Sequence, residues 1–179
     1  TLFDGQTDQQ GNFSFSLNKI KTEDAPGILN AVFTTRVFEN GGDFSISSQS
    51  IRYSPYDEYV GIRLPENDDN WYSTEQPVRL QGVTITPTGK QSGNATIQIE
   101  VYKLDWHWWW DSEDENLGSY VNREYSSSVL SQKVKATDGR FQLDLHIPKY
   151  GRYFIRATDP SGHTSGLIAY FGSWSDNAD

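Results

Sequence analysis

The 179-residue sequence contains no cysteine and no methionine. Without cysteine the chain has no disulfide, no thiolate nucleophile and no cysteine-ligated metal site. Its 15 lysines and arginines are scattered singly and the net charge is −9, which argues against a nucleic-acid surface or an anionic membrane face. No apolar run approaches the ~20 residues of a membrane-spanning helix, so we expect no direct membrane insertion. A chain that begins at Thr1 and lacks methionine is expected to be a piece of a longer protein.

Apolar and polar residues alternate along most of the chain with a period of two, which is typical of β-strands. The longest such segment is Ile97–Trp110, in which Ile97, Ile99 and Val101 give way to a second apolar series from Tyr102. Such a change of parity predicts either a β-bulge or a strand that passes from one sheet to the other. No segment has the 3.6-residue period of an amphipathic helix. The sequence therefore predicts an all-β protein of antiparallel β-sandwiches, with this segment as a central strand.

The first third of the chain predicts a half-buried strand followed by a hairpin. Phe13, Phe15 and Leu17 alternate with Ser14 and Ser16, and the long β-branched and aromatic run 28–38 ends at the turn residues 40–42. Pro55 then marks a junction, because proline cannot donate a hydrogen bond to a sheet.

The same order of features occurs twice in the chain: Thr-Asp, glycine, alternating strand, loop, glycine, alternating strand and turn. One copy begins at Thr7 and the other at Thr137. We therefore predict that residues 58–179 form one complete sandwich and that residues 1–57 are the C-terminal part of another, taken from a tandem array. Because half a sandwich exposes an apolar sheet face and free strand edges, we expect this part to pair with a neighbouring domain or a second chain.

A run of tryptophans is the main candidate contact site. Alternation places Trp106, Trp108 and Trp110 on one face of the strand, with His107 and Trp109 on the other. Core packing plus an inter-domain contact is the favoured interpretation, since one face can be core but both can hardly be. An aromatic platform that stacks on sugar rings is the alternative.

Two further patterns suggest chemistry, but a plainer interpretation is favoured for each. The acidic residues of 111–115 resemble a Ca²⁺ loop, yet the sixth position is Asn116 rather than glycine, so a solvated loop is favoured. Asp159, Ser161 and His163 contain the residue types of a catalytic triad, but the Gly-x-Ser-x-Gly elbow is absent and a turn is favoured. The three histidines lack the spacing of a zinc site. We expect no catalytic, cofactor or metal residues, and no enzyme activity.

A long polar segment, 111–128, is also a candidate protease-sensitive loop. Its residues Tyr120, Arg123 and Tyr125 suit proteases of several specificities. An ordinary exposed loop is cleaved as well, so this pattern has two interpretations.

Several stretches together resemble the bacterial α2-macroglobulin family. They are Arg36–Ile46, Tyr53–Tyr56 with Tyr59–Ile62, Val101–Trp110, and Tyr150–Tyr153. The resemblance implies a large cell-envelope protein, periplasmic or surface-anchored and extracellular, built from successive macroglobulin domains that are fibronectin-III-like sandwiches.

In that family a bait segment is cleaved and the domains close around the attacking protease, so the resemblance implies a non-catalytic segment of a protease-trapping inhibitor. Neighbouring macroglobulin domains and target proteases would be the partners. A thiol ester in a later domain needs a cysteine, and this chain has none. The alternative function is a cell-surface adhesion or carbohydrate-binding module that uses Trp106–Trp110.

Overall fold

A computed structural model describes residues 3–16, 22, 25–39, 41–67, 70–104 and 128–172. Within these ranges every regular element is a strand, and no helix is long and apolar enough to cross a membrane. The prediction of an all-β protein is therefore confirmed. The strands are β1 (Leu29–Phe38), β2 (Phe44–Tyr53), β3 (Tyr59–Arg63), β4 (Trp71–Ser73), β5 (Val78–Ile85), β6 (Ala95–Leu104), β7 (Leu130–Ala136), β8 (Arg140–Leu145), β9 (Gly151–Thr158) and β10 (Thr164–Gly172).

Strands β3 to β10 form two sheets that pack face to face. One sheet has the order β3-β5-β8 and the other β4-β10-β9-β6-β7. All neighbours are antiparallel except β4, a three-residue strand that runs parallel to the end of β10. The order within each sheet is not the order in sequence, so the chain crosses repeatedly between sheets, as it does in immunoglobulin-like sandwiches.

The core lies between these two sheets and is built from alternate residues of each strand. Ile97, Ile99 and Val101 of β6 are completely buried and pack with Leu80 of β5 and Ile155 of β9. Removing one such side chain from water contributes about 1.5–3 kcal/mol before the conformational entropy cost is subtracted. The period of two in the sequence therefore identified this part of the core correctly.

The parity change in β6 has a different cause from the one that the sequence suggested. One-to-one pairing with β9 continues without a bulge through Val101↔Ile155 and Tyr102↔Phe154 to the end of the strand. The prediction of a bulge or a change of sheet is therefore wrong for the described part of β6. Tyr102 and Phe154 are instead both buried on the outer face, in a small second cluster with Leu104. The sheet is apolar on both faces there, so both parities are apolar.

Strands β1 and β2 form a separate two-stranded sheet. Their antiparallel register is unbroken from Leu29↔Tyr53 to Phe38↔Phe44, and Gly42 in the turn has a φ of 90°. The left-handed conformation of this residue suits glycine, which has no Cβ to clash. The predicted hairpin is confirmed.

The strand predicted at residues 13–17 is wrong for the part that the structure describes. Residues 12–16 form no strand, because no other described segment pairs with them. Phe3, Phe13 and Phe15 gather their rings instead, with centroids 4.2–5.6 Å apart. Leu17 lies outside the described residues.

Candidate functional site

The predicted contact and cleavage residues all fall outside the described part of the chain. They are Trp106, Trp108, Trp109, Trp110, Tyr120, Arg123 and Tyr125. Their roles stay predictions, and so does the role of the acidic loop 111–116. The candidate contact surfaces among the described residues lie where the β1–β2 hairpin joins the sandwich and on the surfaces of both.

The triad-like residues occupy the turn between β9 and β10. One carboxylate oxygen of Asp159, Oδ1, accepts hydrogen bonds from the backbone N–H groups of Ser161 and His163 and from the Ser161 hydroxyl, at 2.7–3.0 Å. The Ser161 hydroxyl also lies 3.1 Å from the Glu58 carbonyl oxygen and not against the imidazole. In these described residues serine and histidine are therefore not paired as a nucleophile and its base, and the carboxylate stabilises the turn.

His163 is buried and is held as a neutral imidazole. The Val60 N–H donates a hydrogen bond to Nδ1 of His163 over 3.1 Å, so Nδ1 carries no hydrogen. Burial lowers the pKa of His163, and the charge of Asp159 opposes this shift. The second carboxylate oxygen, Oδ2, is buried 4.0 Å from Nδ1 and accepts no hydrogen bond from the described residues. The imidazole therefore ties the start of β3 to the start of β10.

Two tyrosine rings cover this histidine and extend the contact to the N-terminal segment. The Tyr56 and Tyr59 ring centroids lie 5.3 and 4.8 Å from that of His163. The Tyr56 hydroxyl donates a hydrogen bond of 2.8 Å to the carbonyl oxygen of Ala25, which precedes β1. The junction marked by Pro55 in the sequence is therefore a packed aromatic contact. We call His163, Asp159, Tyr56 and Tyr59 the junction cluster.

The hairpin carries exposed apolar side chains on both of its sides. Alternation and register place Leu29, Ala31, Phe33, Val37, Ile51 and Tyr53 on one side, together with Thr35, Ser45, Ser47 and Gln49, and we call this more apolar side the apolar face. The opposite side carries cross-strand hydrogen bonds between Thr34 and Ser48 and between Asn30 and Ser50, and also the exposed Val32, Phe38, Phe44 and Ile46. No residue of either strand is buried, and Val37 and Ile51 are about half exposed. An apolar face of this kind marks a contact surface.

One surface was missed by the sequence reasoning. Residues of the sheet β3-β5-β8, together with Lys135 of β7, line a shallow depression of about 800 Å³ whose charged residues are all basic: Arg63, Lys135 and Arg140. The signal was present, because these side chains have polar parity in their strands. Because the three basic residues are far apart in the sequence, however, their positions did not indicate that the fold brings them to one surface.

The described residues contain no group of three or more histidine, aspartate or glutamate side chains that could hold a metal ion. The arrangement as a whole offers contact surfaces, namely the junction cluster, the apolar face and the basic depression. An antiparallel sandwich with these surfaces belongs architecturally to the immunoglobulin-like modules that act through their faces and edges.

One protein family matches most of the chain. The family model described as bacterial macroglobulin domain 6 matches residues 61–174, so the chain belongs to this family. No curated protein sequence matches the chain.

Solved structures with a similar fold include two α2-macroglobulins. The native form of the E. coli protein is 15% identical with a TM-score of 0.48, and the match covers 89% of this chain and 11% of that protein. The Salmonella protein reacted with methylamine is 17% identical with a TM-score of 0.36, covering 85% and 11%. The Yersinia pseudotuberculosis adhesin InvE is 10% identical with a TM-score of 0.42, covering 93% and 52%. Scores this low support no conclusion about function, and the chain spans only about a ninth of either α2-macroglobulin.

Proposed function

We propose that this chain is a non-catalytic structural segment of a bacterial α2-macroglobulin-like protein that traps proteases in the cell envelope, either in the periplasm or at the cell surface. The observation that carries the proposal is the family match over residues 61–174. Its direct partners are the neighbouring macroglobulin domains, and the targets of the whole protein are proteases.

The proposed division of the chain separates strands β3 to β10, which contribute buried residues to the sandwich, from strands β1 and β2, which have no buried residue. Residues 58–179 act as one complete macroglobulin-like sandwich, and residues 1–57 supply the C-terminal part of the preceding one. The apolar face supports this division, because a sheet with exposed apolar side chains gains stability when another layer covers them.

The mechanical role of the segment is to hold two successive domains in a fixed relation. The junction cluster suits this role, since Tyr56 connects the segment before β1 to the turn before β10. Cleavage of a bait segment elsewhere in the protein becomes a rearrangement of domains only when such connections transmit it. A rigid aromatic junction transmits movement better than a flexible linker.

The experiment measures trapping by the longer natural polypeptide. After incubation with trypsin, cleavage of a small chromogenic peptide and of a large protein substrate are compared. A trapped protease keeps its active site open to the small substrate while the large one is excluded, so the proposal predicts loss of the second activity only. Equal cleavage of both substrates with and without the polypeptide would contradict it.

Two neighbouring substitutions then test the hairpin. Phe33→Asp places a charge on the apolar face, whereas Thr34→Asp places the same charge on the opposite side of the same strand. We expect only Phe33→Asp to abolish the protection of the large substrate, because burying an unpaired carboxylate is costly. Equal effects of the two variants would show that no domain covers the apolar face.

The tryptophan run remains a separate proposal, as a contact to a neighbouring domain through Trp106, Trp108, Trp109 and Trp110. Fluorescence of the chain with acrylamide and a panel of cell-surface glycans tests it. Blue-shifted emission that resists quenching and ignores glycans is expected of indoles in a core or domain contact. Red-shifted emission that moves on addition of one glycan would instead make the chain a carbohydrate-binding module.

A further inference from the structure

Strand β3 has a free edge that faces a cleft. The Val60 N–H points away from β5, since it donates to His163, and the N–H and C=O of its sheet partner Thr84 bond to Gly139 and Ser92 instead. Because these directions repeat every second residue, the N–H and C=O of Ile62 also point out of the sheet. No described residue bonds to them.

A cleft lies beside this edge. It has a volume of about 650 Å³ and is lined by Ile62 and Arg63 of β3, by Leu64 after that strand, and by residues 167–169 of β10. The hydrogen bond from Val60 to His163 precedes the cleft along β3, and Pro65, whose carbonyl oxygen accepts a 2.8 Å hydrogen bond from the Tyr72 hydroxyl, lines it after β3 ends. Ile62 and Leu167 are half-buried and give the cleft an apolar side.

The charged residues that line the cleft are Arg63 and Glu66, one of each sign, whereas those that line the basic depression are all positive. The Arg63 guanidinium donates a 3.0 Å hydrogen bond to the neutral amide of Gln81, and none of the described carboxylates forms an ion pair with it, including Glu66 nearby. Arg140 and Lys135 lie on the same basic depression, which contains no acidic residue. The net charge of −9 repels acidic ligands at long range, so the attraction to an acidic side chain is local to the basic depression.

We propose that the free edge of β3 binds an extended, acidic polypeptide segment by strand addition. Its backbone pairs with the N–H and C=O of Ile62, and an acidic side chain beside Arg63 lies on the same face of the extended sheet. Alternate apolar side chains of the ligand then enter the cleft next to Ile62 and Leu167. The ligand is therefore expected to alternate acidic and apolar residues. It would pair with the few residues of β3 that follow Val60.

A polypeptide fits this surface better than an anionic polysaccharide for two reasons. The free backbone groups of Ile62 match those of another strand in spacing and direction. The residues that line the basic depression include Phe141, which is buried, and no exposed aromatic ring on which a sugar could stack. This inference is independent of the proposed role in protease trapping.

In the binding experiment a capped heptapeptide of alternating glutamate and valine is added to the whole chain at physiological salt. Binding is measured from the NMR chemical shifts of the chain's backbone amides. Saturable shifts at the amides of Ile62 and its neighbours are expected, and raising the ionic strength weakens them. The matched peptide with lysine in place of glutamate should not bind. Absence of saturable shifts, or equal binding of both peptides, would overturn the proposal.

Two sets of variants sharpen this test. Arg63→Gln should weaken binding about fivefold, whereas Arg52→Gln, which changes the net charge equally but lies on β2, should not.

N-methylation of one alternate set of peptide residues should abolish binding while methylation of the other set is tolerated, because the backbone N–H groups of only one set face β3. Equal effects of the two arginine variants, or tolerance of both methylated peptides, would overturn the proposal. Polygalacturonate binding that matches the peptide in affinity and shifts would overturn the choice of a polypeptide.

Discussion

The chain contains two long antiparallel hairpins, β1–β2 and β9–β10, whose surroundings differ. In β9 and β10 the side chains of Phe154, Ile155, Ala157 and Phe171 are completely buried. In β1 and β2 no side chain is buried, although the strands are as long and as rich in apolar residues. Strand pairing therefore needs only local sequence and a suitable turn, whereas burial needs a second sheet. A lone two-stranded hairpin is marginally stable in water, so the two should differ strongly in energetics.

The largest expected difference comes from removing the same side chain in each hairpin. Ile155→Ala in β9 should lower the free energy of unfolding by about 2–5 kcal/mol, because the core keeps a cavity. Ile51→Ala in β2 should change it by no more than about 0.5 kcal/mol, since Ile51 is 49% exposed. Urea denaturation of both variants checks this. Similar losses would mean that β2 belongs to the cooperative core.

The next contrast concerns two glycines with positive φ. Gly139 has a φ of 70°, and a Cβ there would lie 2.8 Å from the Thr84 carbonyl oxygen. Gly42 in the hairpin turn has a φ of 90° with nothing within 4 Å. Both alanine variants suffer the left-handed strain of about 1 kcal/mol, but Gly139→Ala should cost about 1–3 kcal/mol more because the backbone must move. Thermal melting compares them, and equal losses would contradict the close approach at Gly139.

The smallest expected effect is a pH dependence confined to the sandwich. The folded-state pKa of His163 lies below its usual 6.5 because the ring is buried. Below pH 6.5 the unfolded chain therefore binds more protons than the folded one. The free energy of unfolding then decreases as the pH is lowered, by at most about 1.4 kcal/mol per pH unit. The loss ends once pH passes the folded-state pKa. Above pH 6.5 this contribution is fully present.

The control for this effect is His163→Asn, whose side-chain oxygen can still accept the bond from Val60. Denaturant unfolding from pH 7.5 to 5.5 should show the slope in the natural chain and not in the variant. Equal slopes would mean that His163 is not buried as a neutral ring. The β1–β2 hairpin has no histidine and should not respond over this range.

Sequence alone predicted the elements whose cause is local. Alternation located Ile97, Ile99 and Val101 in the core, and glycines after a β-branched run located the β1–β2 turn. It failed where the cause is tertiary. Tyr102 is buried on the outer face of a continuous strand, and residues 12–16 have no partner to make them a strand.

Candidate surfaces were harder to predict for the same reason. The basic depression joins Arg63, Lys135 and Arg140, which are separated by more than seventy residues of sequence at the widest. The junction cluster likewise depends on His163 meeting Tyr56 and Tyr59 across the fold. The spacing of these residues in the sequence does not predict that they come into contact in the fold.

Hydrogen exchange of the backbone amides tests the central claim most directly, since it compares the two hairpins in one sample. The account predicts that the amides of β9 in the β9–β10 hairpin exchange only through global unfolding, whereas those of β1 and β2 exchange through local opening at far lower free energy. Equal protection of the two hairpins would contradict it, because β1 and β2 would then already have the covering layer that we assign to a neighbouring domain.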